Sequence, residues 1–121
     1  MNKSEKRLYL IKELIKENRS YEDITIPQTS QEQEHLLRGL MNIRRPREIS
    51  NKFLKIQDEY LTEINNEKGI VSINDLEPIC DNIYLWQGDI TTLKCDAIVN
   101  AANSGLTGCY IPNHRCIDNC I

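Results

Sequence analysis

No stretch of this sequence approaches the ~18 apolar residues in a row that a membrane-spanning helix requires. The opening MNKSEKRLYLIKELIKENR scatters too many charges among its apolar residues to serve as a signal peptide. An excess of positive charge is missing too: 15 Lys and Arg against 18 Asp and Glu leave a formal net charge of −3. That balance gives no general attraction to nucleic acid or to an anionic membrane surface. The one basic run, Arg44, Arg45 and Arg47 around Pro46, is short, has acidic neighbours and reads as a solvated turn. The five cysteines, at positions 80, 95, 109, 116 and 120, cannot all pair internally. With no export signal in view, the chain reads as cytoplasmic, where thiolate ligation is favoured over a disulfide framework. Internal repeats and low-complexity tracts are also lacking. What is present is a chain of 121 residues, 40% hydrophobic and 27% charged, long enough to bury a core without staples.

Residues 1 to about 70 read as helical. Leu8, Ile11 and Ile15 follow helical spacing, with Leu10 and Leu14 on an adjacent line. Pro27 breaks the pattern, and Ser30 with Gln33 then forms a capping-box signature ahead of Leu36, Leu37, Leu40 and Met41. After Pro46, Ser50 is the expected N-cap of a third helix, Phe53, Ile56, Tyr60 and Ile64 its apolar stripe, and Gly69 its stop. These stripes are what helix packing requires, and they hold no catalytic set.

After about residue 80 the texture changes. IYLWQ (Ile83 to Gln87) and CDAIV (Cys95 to Val99) read as short buried strands, with Tyr84, Trp86, Cys80 and Cys95 as core. Each strand runs into a polar turn, GDITT and NAANSG, the kind of place where an α/β scaffold holds its active groups. IDNCI at the end has the polarity of a helix start, with Asp118 near the positive end of the dipole. Between them lies Cys109-x4-His114-x-Cys116, two sulfurs and one nitrogen on a single loop stiffened by Pro112. Thiolate and imidazole are the donors zinc prefers. Three protein ligands leave a position open, as catalytic zinc does, whereas a structural zinc takes four. Cys120 could supply a fourth or could pack as a small hydrophobe.

GDITTLKCDAIVNAANSGLTG, residues 88–108, resembles the macrodomain family, whose members bind ADP-ribose. The continuation CYIPNHRCIDN, together with LLRGLMNIRRP and FLKIQDEYL upstream, resembles the zinc-containing branch that acts as protein-ADP-ribose hydrolases. The resemblance implies an incomplete α/β macrodomain over residues 76–121, comprising its first strands and the start of a helix, preceded by a helical N-terminal appendage over residues 1–75. It implies zinc on Cys109, His114 and Cys116 and assigns Cys120 to core. It also implies adenine contacts from the Asp89 carboxylate and the Ile90 N–H, and a distal-ribose contact from Asn103. Asn100 holds the loop in this reading, through side-chain bonds to backbone.

Asp118 is expected to position water or take a proton beside that ribose. Unpaired N–H groups at Ile117, Asp118 and Asn119, next to Cys116, are expected to receive the diphosphate. The implied catalytic residues are therefore Asn103 and Asp118. The implied partners are ADP-ribose and an ADP-ribosylated protein, for this branch a lipoyl-carrier protein modified by a sirtuin-type transferase. The family's later glycine-rich loop and remaining strands find no counterpart here, so the chain reads as an N-terminal fragment or truncated product without catalysis of its own. Two readings from other classes stay open. One is a module that binds ADP-ribose without cleaving it; the other is a small helical protein with a structural zinc knuckle, favoured by a fourth ligand at Cys120.

Overall fold

The computed structural model describes residues Met1–Ile121. Three helices come first: α1 (Lys3–Lys16), α2 (Ser30–Asn42) and α3 (Asn51–Lys68). Four short strands follow, β1 (Val71–Ser72), β2 (Pro78–Cys80), β3 (Ile83–Tyr84) and β4 (Leu93–Lys94), and then α4 (Ile117–Cys120). The expected stripes meet as one apolar core. Leu10, Ile11 and Leu14 of α1 pack with Leu37 and Leu40 of α2 and with Phe53, Ile56 and Tyr60 of α3. Each such side chain is worth roughly 1.5–3 kcal/mol when fully buried. Ser50 caps α3 by accepting from the Phe53 N–H at 3.1 Å, and Gly69 ends that helix at a φ of 92°.

The cap of α2 sits one residue earlier than the spacing predicts. Thr29 is the N-cap, accepting from the Glu32 N–H at 3.3 Å. Ser30 and Gln33 serve a buried cation instead. Arg7 of α1, 3% exposed, donates through Nη2 to Ser30 Oγ at 3.0 Å and through Nε to Gln33 Oε1 at 3.0 Å, and it pairs with Glu34 at 3.1 Å. A guanidinium taken out of water must be met by acceptors, and α2 turns this face toward it while Thr29 takes over the cap.

The basic run also departs from expectation. Arg44 is half-buried and grips the Glu17 carboxylate with two bonds of 2.8 Å, while Arg47 donates to the Glu17 carbonyl at 2.8 Å. The turn after α2 thus clasps the end of α1, a bidentate use of arginine that run length does not reveal.

The strands are slight. β1 pairs in parallel with β4, Val71 opposite Leu93, and β2 pairs antiparallel with β3 around Asn82 at a φ of 58°. CDAIV forms no strand beyond Lys94, and Cys80, Cys95 and Cys120 are exposed rather than core. Leu85 is 79% and Val99 89% exposed, and Tyr84 and Trp86 are only half-buried. Nothing within the 121 residues covers these apolar segments, so the β pairing stays short for want of a packed face. The segment from Val71 onward is tethered to the helical core by α3, which packs against the turn Ile90–Thr92.

Candidate metal centre

Cys109, His114 and Cys116 come together as the spacing predicts, their ligand atoms all within 4.8 Å of one another. The Cys109 Sγ to His114 Nδ1 separation is 3.5 Å. With Zn–S near 2.3 Å and Zn–N near 2.0 Å, the edge of a tetrahedron is about 3.5 Å, so this pair already stands at ligand spacing. The donor set fits zinc. Backbone geometry makes the convergence possible: Asn113 turns the chain in the left-handed region at a φ of 59°, and the His114 N–H closes the turn onto the Ile111 carbonyl at 3.2 Å. Asn119 of α4 is buried and donates through Nδ2 to the same carbonyl at 2.9 Å, binding the loop to the helix that follows it. The Asn119 N–H and then the His114 and Cys109 side chains lower the Cys116 thiol pKa, toward the thiolate that a metal needs.

Cys120 stands apart from this group. It is exposed, and its sulfur accepts from Arg38 Nη2 at 3.5 Å. The cluster therefore offers three candidate ligand residues, the number found at metal sites that keep a coordination position open.

Next to the cluster, the asparagines of NAAN divide their work differently from expectation. Asn100, expected to hold the loop, donates from Nδ2 to Asp118 Oδ1 at 3.0 Å. Asn103 holds the loop: its Oδ1 accepts from the Thr107 N–H and hydroxyl, both at 3.3 Å, and its Nδ2 donates to the Gly108 carbonyl at 3.2 Å. One N–H of the Asn103 amide is left over for another acceptor. Gly108 has a φ of 77°, and a Cβ there would lie 3.4 Å from Asp118 Oδ2, so a residue without a side chain lets the carboxylate sit against the loop. The backbone N–H groups of Ile117, Asp118 and Asn119 open α4 beside Cys116.

Asp89 lies on the turn before β4. It caps that turn, Oδ1 accepting from the Thr91 N–H at 3.0 Å and hydroxyl at 2.7 Å, while Oδ2 pairs with Lys68 of α3 at 2.9 Å. The Thr91 hydroxyl first, then Lys68 and the Thr91 N–H, hold its carboxyl down to about 2. Oδ2 keeps acceptor capacity toward a ligand, with the Ile90 N–H beside it. Lowered in the folded state, this carboxyl contributes stability above the ordinary aspartate value of about 3.9, and the contribution is lost as pH falls from there through about 2. The stability gap between the protein and Asp89→Asn should thus be open at pH 6 and mostly closed at pH 2 in urea titrations. A gap independent of pH would show that the carboxylate charge is not its source. Lys68 and Asp89 are each nearly half exposed, so salt should narrow the gap as well.

Sequence reading missed four contributors: Asn100 as the partner of Asp118, the Asn119 amide as a brace, Lys68 against Asp89, and the packing of Gly39 in α2 against the Pro112–Asn113 turn. Only the last had a visible signal, a glycine inside a helix, which is costly unless something needs the space.

Three residues that could hold a metal thus lie next in sequence to Asp118, which is bonded to the asparagine loop. No protein-family model matches the chain. A protein-ADP-ribose hydrolase of Treponema medium is 52% identical over 125 aligned residues, which take in all of this chain and 48% of that relative. One of Staphylococcus aureus strain Mu50 is 45% identical over 114 residues, covering 93% of this chain and 42% of the relative. A probable bifunctional ADP-ribose hydrolase/ADP-ribosyltransferase of Fusarium oxysporum f. sp. cubense is 40% identical over 97 residues, 71% of this chain. The chain is a homologue of the protein-ADP-ribose hydrolases, corresponding to their N-terminal portion. It spans about half the length of the curated relatives it matches.

Proposed function

We propose that this chain carries the metal- and ribose-handling end of a zinc-dependent protein-ADP-ribose hydrolase, with residues 1–75 as a helical appendage and residues 76–121 as the opening part of a macrodomain. The observation that carries the reading is the placement of Asp118, two residues after the last ligand and hydrogen-bonded to Asn100 at 3.0 Å, beside the Cys109, His114 and Cys116 cluster. The substrate is an ADP-ribosylated protein in the cytoplasm, a lipoyl-carrier protein being the first to try.

Zinc held by Cys109, His114 and Cys116 would supply Lewis acidity to a ribose hydroxyl or to water. Asp118, oriented by Asn100, accepts a proton or aligns a water. Asn103 offers its remaining N–H to a ribose oxygen, and the N–H groups of Ile117 and Asp118, with Asn119 beside them, would receive the diphosphate. Asp89 and Ile90 take the adenine edge.

The test is release of free ADP-ribose from a mono-ADP-ribosylated lipoyl-carrier protein, with and without a zinc chelator. In a protein that carries these residues within the relatives' full length, release should be chelator-sensitive and should fall about 100-fold or more in Asp118→Asn, which keeps the acceptor for Asn100 but not the base. ADP-ribose binding by calorimetry with no release would favour the binding-module reading instead. Three ligands rather than four weigh against a purely structural zinc.

A further inference from the structure

We infer that Gly39, inside α2, sets the position of the metal-ligand loop, so that the helical appendage forms one wall of the metal centre. The inference rests on the zinc reading above and assigns a positioning residue to it. Gly39 is buried, and a Cβ built on it would lie 2.8 Å from Asn113 Nδ2 and 3.6 Å from Pro112 Cβ. Pro112 and Asn113 are the turn between the ligands Cys109 and His114, so α2 touches the loop at its bend.

Three features make that contact a position rather than a brush between surfaces. A helix-interior glycine is the least favourable ordinary choice for α2 itself, and here its missing Cβ leaves the Asn113 amide its place against the helix. Asn113 Oδ1 is buried with no hydrogen-bond partner, so packing and not bonding holds that side chain in place. The turn is pinned from its other side by Asn119, which leaves α2 as the opposing support. His114 follows Asn113 directly, and a displaced turn carries the imidazole with it. A cavity of about 580 Å³, lined in part by Gly39, Leu40, Ile43, Pro112 and Asn113, lies alongside and gives the turn somewhere to move. Metal affinity depends on ligand distances held to a few tenths of an ångström.

The experiment uses zinc alone as the probe. Affinity is measured by competition with a chromophoric chelator, geometry by the absorption bands of the cobalt-substituted protein, and folding by far-ultraviolet circular dichroism. Wild-type protein that takes up no zinc would overturn the zinc reading before any variant is needed, and this inference with it. Given zinc uptake, Gly39→Ala should weaken binding about tenfold and shift the cobalt bands, while helicity holds or rises because alanine is the better helix former. Asn113→Gly keeps the turn's φ of 59° but gives up the amide that packs on α2, so it should weaken binding less than Gly39→Ala does. The double variant Gly39→Ala/Asn113→Gly should return to within about threefold of wild type, because the new methyl no longer meets an amide. Wild-type affinity in Gly39→Ala, with the Asn113 side chain merely swinging aside, overturns the inference. So does a double variant no better than the single. If Gly39→Ala alone fails to fold, recovery of both fold and zinc in the double variant supports the inference, and no recovery sinks it.

Discussion

Cys116→Ala should remove zinc from the protein. Stoichiometry measured after gel filtration is expected to fall from one zinc per chain to about a tenth or less, with affinity down by well over 100-fold. Even groups that only orient a ligand are worth about 10- to 100-fold in metal affinity, and Cys116 is itself one of the three converging ligand residues. It is also the thiol whose surroundings favour ionisation, through the Asn119 N–H and then His114 and Cys109. Cys120→Ala is the matched control. Cys120 lies on the same short helix, but its sulfur is exposed and turned to Arg38, so zinc content should not change. Zinc lost equally in both variants would mean a four-ligand, closed site, and the open coordination position on which hydrolysis depends would be gone. Zinc retained in Cys116→Ala would dismiss the cluster as a site.

Legibility of this chain followed the range of the interactions. Helices declare themselves by spacing a few residues apart, and Leu10, Leu37, Phe53, Ile56 and Tyr60 all reach the core that their stripes predict. The metal ligands are equally local, confined to one loop, and they meet. What could not be read is whatever depends on a partner far along the chain. Arg7 reaches Gln33 and Glu34, Arg44 reaches Glu17, Lys68 reaches Asp89, and Gly39 meets Asn113; no periodicity announces any of these pairs. The strands failed for a related reason. An apolar run becomes a buried strand only when another layer covers it, and the run at Cys95 to Val99 is exposed. The interchange between Asn100 and Asn103 is subtler. Both are loop asparagines of identical chemistry, so residue type alone does not tell which one bonds to Asp118.

Arg7→Ala should cost the helical unit about 2–4 kcal/mol, a large share of the stability of a small domain. Two losses combine. The guanidinium that satisfies the buried Gln33 oxygen disappears, and a buried acceptor left unmet costs about 1–3 kcal/mol. The aliphatic stem, packed between α1 and α2, leaves a void as well. Glu34 contributes little to this sum, because its side chain is 46% exposed and regains water when the pair breaks. Burial pushes the Tyr60 phenol up while Arg7 opposes the shift, so the same cation also lies close to α3. Three variants separate these contributions in urea unfolding followed at 222 nm. Arg7→Ala should be the least stable, Arg7→Met should recover the packing share, and Glu34→Gln should change stability by less than about 1 kcal/mol. If Glu34→Gln matches Arg7→Ala, the ion pair and not the buried network is what joins α1 to α2. If Arg7→Met exceeds wild type, the guanidinium is a net burden to folding, as buried ion pairs can be. Its retention would then have to be explained by how it orients α2, the helix that carries Gly39 toward the metal loop.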